Sequence, residues 1–158
     1  MMTTPSHSCP DLTHVCDLAV TVGVPLTAGE SQSGERRLVP ITGGTITGAR
    51  LAGRILPGGS DVQIIRQDGT ADLAARYFIE THDGASIYVE NIGLRSGPPD
   101  IMARLKRGEP VEPSQVYFRS TPRFETTAPA YQWLTRRLFI CSGTRLPDKV
   151  LLSVFEVG

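Results

Sequence analysis

The stretch that decides the fold covers residues 61–95 and reads DVQIIRQDGTADLAARYFIETHDGASIYVENIGLR. It contains two Asp-Gly pairs, Asp68-Gly69 and Asp83-Gly84, each flanked by runs rich in apolar and β-branched side chains. An Asp-Gly pair between such runs favours a two-residue hairpin turn, because both turn positions take a positive φ. The stretch therefore predicts three antiparallel strands, near residues 61–66, 71–81 and 86–95.

The turns set which side chains lie opposite each other. With two-residue turns, Asp61 pairs with Arg76 and Arg76 pairs with Asn91, and directly paired residues share one face of a sheet. At a strand spacing of about 4.8 Å, they form a row about 10 Å long. Such a row is either a structural ion-pair ladder or the floor of a binding site. A three-residue turn with a bulge would shift the pairing by one residue and place Arg76 on the face of Glu90.

The sheet face that carries this row also carries Gln63, Phe78, Ile87 and Val89. A solvated face would hold more charged side chains and fewer large apolar ones. A mostly apolar lining with a few polar groups is typical of a small-molecule cavity. The face is therefore interpreted either as the lining of a barrel cavity, with Gln63 and Phe78 as ligand contacts, or as an ordinary packed face.

The rest of the chain predicts an all-β protein. Sixteen glycines and twelve prolines in 158 residues divide it into short segments with short connections. Long hairpins with internal glycines suit a curved sheet, so we expect a single antiparallel closed β-barrel, calycin-like, of eight to nine strands. Further strands are expected near residues 15–22, 36–41, 45–56, 115–121, 131–141 and 149–157, with a loop at 29–34. Residues 1–13 are expected to form a disordered N-terminal tail, and residues 14–158 a single β-barrel domain.

One segment, residues 97–108, has the pattern of a short inserted helix. Ile101 and Leu105 lie four residues apart, Asp100 can cap the first turn, and Gly108 can end the last. Such a helix is either a plug over one barrel end or sheet edge, or a mobile lid.

Composition excludes several function classes. Sixteen basic and sixteen acidic residues cancel, so charge gives no reason to expect nucleic acid or an anionic membrane as a partner. No run approaches the roughly 20 apolar residues of a membrane helix, and the N-terminus lacks the features of a signal peptide. Three cysteines without a CxxC pair indicate free thiols in a cytoplasmic protein. The histidines lack metal-site spacing, and there is no GxSxG elbow or phosphate loop, so we expect neither a metal nor a cofactor.

Several short motifs, taken in order, resemble one family. They are Pro40-Ile41-Thr42-Gly43-Gly44, Leu56-Pro57-Gly58-Gly59-Ser60-Asp61, Arg76-Tyr77, Asp83-Gly84-Ala85, Glu90-Asn91-Ile92-Gly93, residues 118–126 and Tyr131-Gln132-Trp133-Leu134. Over about residues 14–157 the chain resembles domain-of-unknown-function family 3237, also named uncharacterised protein family 0311. The resemblance implies a single β-barrel domain, and some fungal relatives are similar to chalcone-isomerase-type enzymes that close a ring without a cofactor. Val62 and Thr135 stand where tryptophan and asparagine are frequent, and both departures are expected to reshape a pocket.

The row supplies part of the candidate chemistry. Asp61 is expected to anchor Arg76 and is therefore a poor choice of general base. Arg76 and Asn91 would hold a substrate carboxylate or stabilise a developing enolate. As a plain ladder, an exposed row would contribute only about 0–1 kcal/mol to stability.

The base and the acid are expected outside the row. Glu125, in a segment between two prolines that can fold over a barrel mouth, is the expected base, with a loop hydrogen bond as its structural alternative. Tyr131, or Tyr117 before it, is expected to donate a proton to a carbonyl or phenolate. Packing in the core or at the rim is the structural alternative for Tyr131. Tyr117 is also expected to contact the substrate.

Three functions stay open at this point. The first is a cofactor-independent isomerase or cyclase that uses acid–base chemistry on an enone-type carbonyl substrate. The second is a non-catalytic, lipocalin-like carrier or sensor of a small, carboxylate-bearing apolar ligand. The third is a structural partner in a larger assembly, with the barrel filled by side chains. The expected partner is a small organic molecule, and a homodimer through an outer barrel face is compatible with the sequence.

Overall fold

The chain folds mainly as β-strands, and the computed structural model describes residues 3–158. The strands are β1 (Leu12–Val22), β2 (Leu26–Ser31), β3 (Gly34–Thr47), β4 (Gly53–Ile55), β5 (Gly59–Ile65), β6 (Ala71–Thr81), β7 (Ser86–Ser96), β8 (Tyr117–Glu125), β9 (Phe139–Arg145) and β10 (Lys149–Val157). The described part also contains the α-helix α1 (Pro99–Lys106) and two short 3-10 helices, Pro113–Gln115 and Pro129–Thr135.

Antiparallel pairing closes the strands into a barrel. The order around the ring is β1, β10, β9, β8, β7, β6, β5 and β3, and β3 pairs with β1 to complete it. β4 shares the position of β5, since both strands lie between β3 and β6 on either side of a break at residues 56–58. β2 pairs with β3 alone. The expected closed antiparallel barrel is confirmed, with eight strand positions and two extra short strands.

Both Asp-Gly hairpins have three-residue turns with a glycine bulge. The Arg66 amide donates to the Thr70 carbonyl at 2.8 Å, and the Thr81 amide donates to the Ala85 carbonyl at 2.9 Å. Gly69 and Gly84 take φ values of 87° and 85°, whereas no other residue type in the described chain has a positive φ. A two-residue type I′ turn would need a positive φ at the aspartate as well, and neither aspartate has one.

This turn type moves the pairing by one residue in each hairpin. Arg76 lies opposite Ser60 and Glu90, while Ala75 lies between Asp61 and Asn91. The expected Asp61–Arg76–Asn91 row is therefore wrong, and the three-residue alternative is confirmed. Since side chains alternate between the two faces of a strand, Arg76 points outwards while Asp61 and Asn91 point into the barrel.

Several strand boundaries also differ from the expectation. β1 begins at Leu12, inside the segment expected to be a tail. The loop expected at 29–34 is mostly strand, because β2 and β3 form a tight hairpin in which Ser31 pairs with Gly34. Residues 131–135, expected to begin a strand, lie in a 3-10 helix that starts at Pro129, and the strand begins only at Phe139. Proline favours the first turn of a helix because it has no amide hydrogen to donate.

Short helices cover the two ends of the barrel. At one end, α1 buries Ile101, Met102 and Leu105, and its Lys106 forms an ion pair with Glu35 on β3. The helix expected at 97–108 is present, although Pro98 occupies the N-cap and Asp100, expected as the cap, lies in the first turn.

The 3-10 helix Pro129–Thr135 covers the other end. Leu134 is buried with the core, and the Trp133 ring packs 6.1 Å from that of Phe139. The Arg50 guanidinium lies 3.9 Å from the centre of the Trp133 ring, a favourable cation–π contact. The barrel interior is thereby separated from solvent at this end.

Candidate functional site

A cluster of polar side chains lies inside the barrel, where most neighbours are apolar. Its members come from β3, β5, β7, β8 and β9, and most have less than a tenth of their surface exposed. They are Arg37, Asp61, Gln63, Asn91, Arg95, Ser120 and Arg145.

The register of the barrel brings part of this cluster into one row. Gln63 on β5 lies opposite Arg37 on β3 and opposite Leu73 on β6. Leu73 in turn lies opposite Gly93, and Gly93 lies opposite Ser120 on β8. The long side chains of Arg37 and Gln63 are therefore directed towards the barrel axis, and no side chain projects from Gly93 to fill the space between Leu73 and Ser120.

The neighbouring row contains Asp61 and Asn91 with Ala75 between them. Two strand spacings separate the backbones of Asp61 and Asn91 by about 10 Å. Since Ala75 has only a methyl group, the carboxylate and the amide face each other across open space instead of across a third side chain.

A cavity of about 50 Å³ lies at this point inside the barrel. Its polar lining comes from Asp61, Gln63, Asn91, Arg95, Ser120 and Arg145, and the other lining residues, such as Val39 and Leu152, are mostly apolar. At about 10–15 Å³ per water-sized group, the cavity has room for roughly four such groups. It is therefore large enough for the reacting part of a small molecule.

A larger cleft of about 380 Å³ lies beneath α1 and shares Arg95 with the cavity. Met102 and Lys106 of α1 form one side of the cleft, and Arg37 and the turn glycine Gly69 belong to the other. Arg95 therefore stands at the junction between the cleft and the cavity.

Two protein donors hold the Asp61 carboxylate in place. The Gln63 side-chain amide donates to Oδ2 at 2.7 Å, and the Ala74 backbone amide donates to Oδ1 at 3.0 Å. An ionised carboxylate accepts up to about four hydrogen bonds. Asp61 is therefore fixed in position with acceptor capacity left for a bound molecule.

Four buried polar atoms of the cluster have no hydrogen-bond partner in the described protein. They are Gln63 Oε1, Asn91 Oδ1, Arg95 Nε and Ser120 Oγ. Buried polar groups are almost always paired, because an unpaired one costs about 1–3 kcal/mol. A bound molecule can accept from Arg95 Nε and from the Ser120 hydroxyl, whereas the Gln63 and Asn91 oxygens need a donor such as a substrate hydroxyl.

Buried arginines make the interior electropositive. Burial lowers the pKa of the Arg95 guanidinium to about 10, and the nearby charges of Arg145 and Arg37 act in the same direction, whereas Asp61 opposes them. Burial also lowers the pKa of Arg145, again with Arg37 contributing in the same direction. The Arg145 Nε donates to the Leu146 carbonyl at 3.2 Å.

Four of the expected site residues lie on the outside of the barrel. Arg76 has its Nε 3.4 Å from a Glu90 carboxylate oxygen, in an exposed ion pair. Phe78 and Tyr117 are 53% and 56% exposed. Glu125 is exposed on β8 because the buried residues of that strand occupy the alternate positions. The structure does not bring these four side chains together with Asp61, Gln63 and Asn91, which do lie inside.

Tyr131, the expected proton donor, lies in the 3-10 helix over the far end of the barrel. Its hydroxyl donates to Asp83 Oδ1 at 2.8 Å, and the Thr81 hydroxyl donates to the same oxygen. This contact ties the helix to the turn of the second hairpin and leaves the Tyr131 hydroxyl outside the polar cluster.

We expect Tyr131→Phe to have a small effect on stability and none on any reaction in the barrel. Hydrogen bonds from Thr81 and Tyr131 lower the pKa of the Asp83 carboxyl. The stability that comes from a lowered carboxyl pKa is present above the unfolded value and is lost as pH falls through the folded one. The melting temperature of Tyr131→Phe is therefore expected to lie slightly below that of wild type at pH 7 and to match it near pH 2. An equal deficit at both pH values would contradict this account.

Sequence reasoning missed Arg37, Arg95, Ser120 and Arg145. The sequence could have identified Arg95, because Arg95 lies four residues after Asn91 on the same strand and therefore points to the same face of the sheet. Within residues 3–158, no group of three or more His, Cys, Asp or Glu side chains is placed to hold a metal ion, and no helix is long and apolar enough to cross a membrane. That the protein needs no metal or cofactor stays a prediction.

Comparison with known proteins agrees with this fold. The family described as protein of unknown function (DUF3237) matches residues 10–157. The chain belongs to this family. Among curated DUF3237 relatives, a UPF0311 protein from Rhodopseudomonas palustris is 46% identical over 144 residues, which cover 91% of this chain and 94% of the relative.

Solved structures extend the comparison beyond sequence. The crystal structure of a conserved protein of unknown function from Rhodopseudomonas palustris has a TM-score of 0.92 and 44% identity, covering 99% of this chain and 100% of the other. A β-barrel-like protein from Acinetobacter baumannii has a TM-score of 0.86 and 35% identity, covering 98% and 100%. An enzyme from Penicillium herquei has a TM-score of 0.73 at 21% identity, covering 100% of both chains, and shares the fold.

The two departures from the DUF3237 pattern do not line the cavity. Val62 pairs with Leu38 and Ala74 on the face of β5 that points away from Asp61 and Gln63. Thr135 is exposed at the end of the 3-10 helix. The expectation that both reshape a pocket is not met at this cavity, since neither side chain reaches it.

Proposed function

We propose that this DUF3237 protein is a cofactor-independent isomerase or cyclase that acts on a carbonyl compound inside the barrel. The observation that carries the proposal is the position of Asp61. It is the single carboxylate among the residues that line the cavity, and it faces Asn91 while Arg95 and Arg145 complete the polar wall. The reason against Asp61 as a base was its expected pairing with Arg76, which instead lies outside the barrel beside Glu90. A fixed carboxylate near cationic and amide donors supports proton transfer next to a carbonyl.

In the proposed isomerisation, Asp61 removes a proton from the carbon next to the substrate carbonyl. The electron pair of that C–H bond moves to the carbonyl oxygen and forms an enolate. Asp61 then returns the same proton to a different carbon, which shifts the double bond. Atoms and charges balance without any co-reactant.

In the proposed cyclisation, Asp61 removes the proton of a substrate hydroxyl, and the oxygen adds to the β-carbon of the enone. The enolate formed by this addition takes the proton back from Asp61 at its α-carbon. A closed cavity supports either reaction, because it holds the reacting atoms together and excludes water.

Asn91 and the buried arginines have the second role, which is to stabilise the enolate oxygen. Guanidinium and amide donors in a dry site stabilise such charge more strongly than they would in water. Because Arg76 is exposed on the outside of the barrel, we assign this role to Arg95 and Arg145 instead. The enzyme from Penicillium herquei supports the proposal to the extent that this barrel occurs in an enzyme.

The test is a turnover assay on aromatic enones and small keto acids with Asp61→Asn, using Glu125→Gln as the matched control. We expect Asp61→Asn to lower turnover about a hundredfold while ligand affinity is retained, because the amide cannot accept the proton. Glu125→Gln is expected to match wild type, since that side chain is exposed on the outside of β8. Full turnover by Asp61→Asn, or its loss in Glu125→Gln, would reject Asp61 as the base.

A carrier or sensor of a small ligand is the second candidate. The mostly apolar cavity and the end covered by α1 favour it, because a carrier needs enclosure but no base. Under this function wild type binds ligands and turns none over, and Asp61→Asn changes only affinity. The proposed partner in either case is a small organic molecule. A cytoplasmic location and a homodimer through an outer face stay predictions.

A further inference from the structure

Charge is unevenly distributed in the barrel interior. Arg37, Arg95 and Arg145 contribute three guanidinium groups, whereas Asp61 contributes one carboxylate. Three further carboxylates line the cleft beneath α1: Glu35, which forms an ion pair with Lys106, and Glu30 and Asp68, which are exposed to solvent. A net charge of about +2 in a buried space is unfavourable unless an anion neutralises it.

The two most buried arginines also have no protein acceptor. Arg37 and Arg95 are 7% and 4% exposed, and the hydrogen bonds and ion pairs found within residues 3–158 include neither guanidinium. Arg95 Nε is fully enclosed without a partner. The Phe118 ring, whose centre lies 5.5 Å from the Arg95 guanidinium carbon, supports one side of it and leaves its hydrogen-bond donors free.

We infer that the molecule bound in this barrel is an organic carboxylate, with its carboxylate group on Arg95 between Arg37 and Arg145. What happens to the bound molecule rests on the proposed function. That the bound molecule is an anion rests only on the arginines. A guanidinium binds a carboxylate through two parallel hydrogen bonds, which is the geometry that an unpaired arginine fork offers.

The position of Arg95 also sets the orientation and the size of the ligand. Arg95 lies at the junction of the cleft and the cavity, so a carboxylate there places the rest of the molecule towards Asp61 and Asn91. The cavity of about 50 Å³ encloses roughly four water-sized groups. The inferred ligand is therefore a short keto or unsaturated acid.

Matched acids and amides test the inference by thermal shift. The probes are acetate, but-2-enoate, 4-oxopentanoate and cinnamate, each compared with the primary amide of the same skeleton and with inorganic phosphate. At a hundred times its dissociation constant, a bound acid is expected to raise the melting temperature of wild type by about 5–10 °C. The amides and phosphate are expected to give no shift.

Arg95→Met is the decisive variant, and Arg76→Met is its matched control. Methionine keeps much of the apolar stem and removes a buried charge that has no partner. We expect Arg95→Met without ligand to melt at the wild-type temperature or up to about 5 °C above it, and to lose the shift caused by acids. Arg76→Met, which removes an exposed guanidinium from the outside of the barrel, is expected to keep the full shift.

Three outcomes with the acids would overturn the inference. They are equal shifts from acids and their amides, an acid shift that survives in Arg95→Met, and the absence of a shift from every acid in wild type. A larger shift from phosphate than from any acid would also overturn it. This test separates the inference from the proposed function. Acids that bind through Arg95 but are not turned over would support the carboxylate site and contradict the proposed enzymatic function. Turnover of neutral enones without carboxylate binding would do the reverse.

Discussion

Replacing Gly53 with alanine is expected to lower the free energy of unfolding by about 3–5 kcal/mol. Gly53 is the first residue of β4 and lies between Ile46 on β3 and Thr81 on β6. A Cβ atom there would lie 2.2 Å from the Glu80 carbonyl oxygen and 2.7 Å from the Thr81 Cα. Because both of these atoms belong to the backbone of a paired strand, relief requires β4 and β6 to separate.

The loss is large relative to the 5–15 kcal/mol that a domain of this kind has in total. Urea unfolding followed by the fluorescence of Trp133, the one tryptophan in the chain, measures it directly. Gly23→Ala is the matched control, because the nearest atoms to a Cβ there are side-chain carbons at 3.5 Å, an ordinary contact distance. A Gly53→Ala midpoint equal to that of Gly23→Ala would contradict the close-approach argument.

The sequence predicted the barrel better than it predicted the pairing of its strands. The two Asp-Gly pairs located both hairpins, and the strands at 71–81 and 86–95 agree closely with β6 and β7. The pairing was off by one residue because an Asp-Gly pair suits both a two-residue and a three-residue turn. The choice depends on whether the aspartate takes a positive φ, and its identity alone does not decide this.

Site residues on one strand were predictable from the sequence, whereas those whose position depends on a turn or on barrel closure were not. Asp61 and Gln63 lie on one face because alternation within a strand is independent of the turn. Whether Arg76 shares that face depends on the turn, so the expectation that it does is wrong, and Arg76 lies outside. Arg37 and Arg145 join the cluster through β3 and β9, which no tight turn connects to residues 61–95, and their position depends on closure of the whole barrel.

Mild alkali is expected to destabilise the protein by about 3 kcal/mol between pH 8 and pH 10, because two free thiols are buried in the core. Cys16 and Cys141 are 0% and 1% exposed. Burial raises the pKa of the Cys16 thiol to about 12 and that of Cys141 to about 11. The unfolded chain therefore releases two protons near pH 9 that the folded chain retains.

The direction of the effect follows from this difference. A group whose pKa is raised on folding contributes full stability below its unfolded pKa, and this contribution is lost as pH rises towards the folded one. The loss is about 1.4 kcal/mol per thiol for each pH unit above about 9. Above pH 10 the lowered pKa of Arg95 acts in the opposite direction, since the folded protein then releases its proton first. Burial also raises the pKa of the Tyr77 phenol, but its unfolded value is about 10, so the thiols account for most of the loss between pH 8 and pH 10.

Melting temperatures measured under reducing conditions across this range are expected to fall by about 6–12 °C in wild type. Cys16→Ala and Cys141→Ala are each expected to halve the fall, although each also lowers stability at pH 8 because a buried sulfur is lost. Cys9→Ala is the control, because Cys9 is exposed and its removal leaves both buried thiols in place. If either core variant falls as steeply as wild type, the thiols are not the source of the alkaline loss.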